Sequence, residues 1–92
     1  AKTLQRKTIP VARRVLGEGD VTTLKMRKVY AKALFVDSGA TLDDLGEAVA
    51  TLEDVERIAR RVFGGAHPFT AGMEDNLRDA RAALAARETP SA

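Results

Sequence analysis

The chain has 92 residues and a mass of 9.9 kDa, room for one domain whose core is modest, because a chain of this length buries only about 60–65% of its unfolded surface. It is 45% hydrophobic and 30% charged, with one His, no Cys and no Trp, a composition that argues against disorder, excludes a disulfide scaffold and leaves little material for structural zinc. The net charge of +2 conceals a division: residues 1–36 carry nine Lys/Arg against two acids, and residues 37–92 carry six Arg against eleven. That separation implies either a basic surface for an acidic partner or two halves that attract each other.

No apolar run approaches the roughly 20 residues that cross a bilayer, and no signal-peptide pattern is present. The first residue is Ala rather than Met, so processing, or a longer parent chain, is expected. The cytoplasm is the expected compartment, with an organelle open if a targeting segment has been removed.

The elements read as helices only. In the first, over 8–16, Ala12, Val15 and Leu16 continue a face that includes Leu4 and Thr8. Pro10 sits inside it, so the helix is expected to begin near Thr8 or to kink there, an interior proline costing about 3 kcal/mol. The second, over 23–36, is predicted to bury Met26, Val29, Tyr30, Ala33 and Leu34, with Thr22 or Thr23 as its cap and Gly39 beyond its end. Thr41 should cap the third, over 42–63, where Asp43 and Asp44 meet the positive end of the macrodipole. Its apolar positions are Leu42, Leu45, Val49, Leu52, Val55, Ala59, Val62 and Phe63, and Gly64-Gly65 should stop it. Pro68 opens the fourth, over 68–87, with Phe69, Met73, Leu77, Ala80 and Leu84 as its inner face. Residues 89–92 are expected to be a frayed tail.

Shifting the chain by 47 residues aligns it with itself. Ala12-Arg13-Arg14-Val15-Leu16-Gly17 falls on Ala59-Arg60-Arg61-Val62-Phe63-Gly64, Thr23 on Thr70, Met26 on Met73 and Ala33 on Ala80. Residues 12–34 and 59–81 share eight identities over 23 positions, where about one or two would arise by chance. The repeated unit is a helix, a Gly-ended loop and a second helix, as in an α-solenoid.

These residues resemble the kinesin-light-chain type of tetratricopeptide repeat. Ala59-Arg60-Arg61-Val62-Phe63-Gly64 is followed by His67-Pro68-Phe69-Thr70 and then Asn76-Leu77; the looser first copy continues through Asp20-Val21-Thr22-Thr23-Leu24 to Val29-Tyr30-Ala31. The likeness covers residues 10–86. The 47-residue spacing is longer than the family's, the surplus fitting the loop from Asp37 to Asp44; Val29 stands in place of the first Asn, and Arg78-Asp79 replaces the usual small-residue and tyrosine pattern. The resemblance implies an all-α stack of antiparallel helix pairs, residues 1–88 forming one domain. It also implies a groove lined by Lys25, Val29, Lys32 and Val36 and by their repeat mates Gly72, Asn76, Asp79 and Ala83.

No nucleophile–base pair is visible, and His67 belongs to the start of a helix. Asp43/Asp44 and Glu74/Asp75 suit first turns rather than acid–base chemistry, and Gly64-Gly65 lacks the Lys-Ser/Thr of a phosphate loop. The chain is therefore expected not to be an enzyme and to need no cofactor or metal. Lys25, Lys28 and Lys32, at i, i+3 and i+7, form one stripe. With Asn76 and Asp79 they are the candidate partner-binding residues, for an acidic or extended peptide segment or a neighbouring subunit. The alternative is a basic helical module binding nucleic acid or another polyanion through the N-terminal half, for which Tyr30 and Phe35 are the only aromatics available to stack. Because a repeat seldom buries its apolar face alone, the chain is expected to be a piece of a longer array or a docked subunit. Its end helices should then expose Leu4/Ala12/Val15 on one side and Leu77/Ala80/Leu84 on the other.

Overall fold

A computed structural model describes residues 2–17, 19–36 and 39–88, with side chains from Arg6 onward. The described residues form four α-helices and no strand: α1 (Lys2–Leu16), α2 (Val21–Val36), α3 (Leu42–Phe63) and α4 (Pro68–Glu88). None is long and apolar enough to cross a membrane. Successive helices pack on one another, and α2 also packs against α4. The connecting loops are so short that packed neighbours must run back along one another. The molecule is thin, 45 × 31 × 14 Å, and every helix keeps a face in solvent.

The local chemistry of each helix end explains its boundaries. Thr41 Oγ1 accepts from Asp44 N at 3.0 Å while Asp44 Oδ2 accepts from Thr41 N at 3.2 Å, a reciprocal capping box that satisfies two otherwise orphaned donors. Thr41→Ala is expected to cost about 1 kcal/mol and lower Tm by about 4–8 °C. Unchanged thermal unfolding would show that the box adds nothing to the packing.

The 47-residue repeat recurs in the hydrogen bonds of its loops. Gly17 and Gly64 both adopt positive φ, 95° and 89°, the region where a Cβ is strained. Gly17 N donates to Arg13 O at 3.1 Å, and Gly64 N to Arg60 O at 3.0 Å. Asp20 N then donates to Gly17 O at 3.4 Å, as His67 N does to Gly64 O at 3.3 Å. Asp20 Oδ1 accepts from Thr22 N at 2.8 Å, and His67 Nδ1 from Phe69 N at 3.1 Å. So Asp20, not Thr22 or Thr23, caps α2, and His67 takes the same place before α4. Thr23 instead lies within the helix, fully buried, donating to Ala12 O at 3.3 Å.

Two further expectations are corrected. The first helix starts at Lys2 rather than near Thr8 and carries Pro10 in its interior. Proline gives up one backbone donor there, and buried Ile9 and Ala12 on either side hold the segment helical against α2. In α2, Tyr30 and Leu34 are buried as predicted, but Val29 is 54% exposed, while Leu24, Arg27 and Ala31 are buried. Its inner band is wide because three helices press on it. The core runs from Ile9 through Leu24, Leu34, Leu52 and Val55 to Met73, Leu77 and Ala80.

The end helices do not leave bare the stripes that the repeat suggested. Ala12, Leu77 and Ala80 are buried and Leu84 is half-buried; only Val15 is open, and the Leu4 side chain lies outside the described residues. The reason is visible in the repeat. The face that α2 buries with Leu24, Ala31 and Leu34 corresponds on α4 to Ala71, Arg78 and Arg81, all exposed, so the outer face of α4 is polar.

Candidate functional site

α2 divides sharply into two sides. Val21, Lys25, Val29, Lys32 and Val36 recur at intervals of three and four residues, a single line along the helix. All five are exposed, the valines by 42%, 54% and 61%. Two of the three lysines expected to form a stripe, Lys25 and Lys32, lie on this line, interleaved with apolar side chains that the sequence pattern alone had assigned in part to the core. Among the described residues none of Lys25, Lys28 and Lys32 has a carboxylate partner. Lys28 is half-buried, its Nζ 5.8 Å from the Phe69 ring centroid of α4, within cation–π range. Phe69 in turn meets Phe63 edge-on at 5.8 Å, and Phe63 stacks on His67 at 4.7 Å. On this side Lys28 is thus tied to α4. Asn76 is half-buried and Asp79 exposed; among the described residues neither is joined to the lysines by a hydrogen bond or ion pair.

The opposite side of α2 faces a crevice of about 200 Å³ between α1, α2 and α3, lined by Arg6, Ile9, Pro10, Arg13, Arg27, Tyr30, Glu47 and Thr51. Sequence reading passed over this cluster. The Tyr30 hydroxyl donates to Glu47 Oε2 and accepts from Arg6 Nε at 2.8 Å, and Arg6 also reaches Glu47 at 3.5 Å. Burial raises the Tyr30 phenol above its ordinary pKa, against a lowering hydrogen bond from Arg6 and with a raising one to Glu47, so it stays protonated and donates at neutral pH. The hydrogen bond to Tyr30 and the charge of Glu47 hold Arg6 all the more firmly protonated. Deeper in, the Arg27 side chain is only 8% exposed and pairs with Asp54 Oδ2 at 2.8 Å. Asp54 is shared with Arg57, and Arg27 Nη1 is buried without a hydrogen-bond partner.

The matching place in the second repeat, between α3 and α4, is a wider cleft of about 660 Å³ lined by Glu53, Glu56, Arg57, Glu74, Leu77, Arg78 and Arg81. Its charges answer one another: Arg60 bonds Glu56 at 3.1 Å and Glu74 at 2.6 Å, and Arg81 bonds Glu53 at 2.8 Å. Among the described residues no group of His, Asp or Glu is arranged to hold a metal ion. Compared with family models, curated proteins and solved structures, the chain matches none.

Proposed function

We propose that the chain is a non-enzymatic protein-interaction module of tetratricopeptide-like architecture that receives an acidic, partly apolar segment of a partner protein along the outer face of α2. The single observation carrying this reading is the exposed line Val21, Lys25, Val29, Lys32 and Val36. A row of open valines gives an apolar track, and the lysines between them give charge complementarity and register. The recurrence of the loop hydrogen bonds at the 47-residue offset supports the repeat architecture, and the Lys28–Phe69 contact brings successive repeat helices to the same side.

The test is anisotropy titration of a labelled acidic peptide alternating Glu with Leu, and of a short DNA duplex, at several salt concentrations. Combined Lys25→Glu, Lys28→Glu and Lys32→Glu changes are expected to weaken peptide binding at least about tenfold, each tenfold step being about 1.4 kcal/mol, with circular dichroism unchanged. Peptide binding that survives this reversal would remove α2 as the docking face. Tighter binding to the duplex, with affinity falling steeply as salt rises, would move the function to nucleic acid.

A further inference from the structure

We infer that the outer face of α1 docks the protein on an anionic lipid surface, with the helix lying in the plane of the headgroups. This face belongs to a different helix from the valine–lysine line of α2, and the inference does not depend on the function proposed for that line.

α1 holds five Lys/Arg and no acid in its 15 residues, a composition that suits a polyanionic surface. The structure sorts these cations into engaged and open ones. Arg6 is bound to Tyr30 and Glu47, and Arg13 also has a partner. Lys7 and Arg14 are exposed, and among the described residues neither is paired with a carboxylate. Lys7, Val11 and Arg14 recur at intervals of four and three residues, and Val15 follows Val11 by four, so all four share one side of the helix. Ile9 and Ala12, which hold α1 against α2, are buried on the other side. Val11 is 46% and Val15 72% exposed, and Leu16 adds a further open apolar side chain at the helix end.

The pairing of open valines with open cations selects a bilayer. The phosphates of a nucleic acid would engage Lys7 and Arg14 but leave Val11 and Val15 in water, and α1 carries no aromatic ring to stack on a base. A stable protein partner would need an interface of about 1,000 Å² or more, and so short a face supplies little of it. A bilayer with acidic headgroups takes both kinds of side chain without a complementary shape. The valines enter the boundary with the acyl chains, and the cations stay among the headgroup anions. Short valines insert shallowly, so the binding should be reversible and sensitive to salt.

The experiment is co-sedimentation with vesicles of phosphatidylcholine alone, and of phosphatidylcholine with an equal amount of phosphatidylserine, at several salt concentrations. The intact chain is expected to partition at least about tenfold more strongly to the anionic vesicles, and less as salt rises. Val11→Asp with Val15→Asp, and separately Lys7→Gln with Arg14→Gln, should each weaken that partition at least about fivefold. Both pairs are exposed, and circular dichroism checks that the fold is kept. Arg78→Gln with Arg81→Gln, the same loss of charge on α4, should leave the partition unchanged. The chain has no Trp, so Val15→Trp gives a single reporter whose emission should shift to the blue on anionic vesicles. Equal binding to both vesicles, binding that survives the two α1 pairs, an equal loss from the α4 pair, or an unmoved emission overturns the inference. So does a DNA duplex bound more tightly than the vesicles and indifferent to the valine change, which would make α1 a nucleic-acid contact.

Discussion

Asp54→Ala is expected to lower the unfolding free energy by about 3–5 kcal/mol, far more than an ordinary surface ion pair would predict. The reason lies in Arg27. Its side chain is 92% buried, and among the described residues its only ion-pair partner is Asp54 at 2.8 Å and its Nη1 has no hydrogen-bond partner. Removing Asp54 leaves a charge in the interior with nothing to offset its lost hydration. Arg57, which shares the same carboxylate, is 72% exposed and stays hydrated. The pair itself need not be stabilising: a buried ion pair often does no better than apolar residues of similar volume. The double variant Asp54→Leu with Arg27→Leu should therefore recover most of the loss. Chemical denaturation of the singles and the double provides the cycle. A cost below about 1 kcal/mol for Asp54→Ala would mean that Arg27 finds water or another acceptor.

Arg27 also shows where sequence reading ran short. A charged residue in an amphipathic helix reads as solvated, and its burial depends on a carboxylate 27 positions away. The same holds for Arg6, whose partners are Tyr30 and Glu47. What was legible was local: the Thr41 box, the Gly64 stop, the Pro68 start and the inner face of α4 all follow from neighbours within a turn or two. The shared face of Lys25 and Lys32 was legible for the same reason. Pro10 misled because its penalty is local and its compensation, Ile9 and Ala12 against α2, is tertiary. α2 misled because a helix pressed by three others has no single apolar stripe to read. The crevice did leave a trace in the self-alignment, as charge inversion at Arg6/Glu53 and Arg27/Glu74, but identities draw the eye and inversions do not.

The repeat makes a second, larger prediction. Leu34 and Arg81 occupy the same place 47 residues apart, yet Leu34 is fully buried and the Arg81 side chain is 57% exposed. If their difference is what separates an interior repeat face from an outer one, exchanging them should be strongly asymmetric. Leu34→Arg places a charge in the apolar core and should cost more than about 4 kcal/mol. Total stability in domains of this kind is about 5–15 kcal/mol, and a small core puts this chain near the lower end, so cooperative unfolding should be lost or displaced well below ambient temperature. Arg81→Leu removes only the pair to Glu53, worth about 0–1 kcal/mol, and the chain should stay folded. It also puts an apolar side chain where α2 carries a buried one, and the outer face of α4 then offers a seat for another helix. Concentration-dependent association in sedimentation, absent before the change, is the expected result. Comparable destabilisation by the two exchanges would show that position in the repeat does not govern burial, and the polar face of α4 would need another explanation.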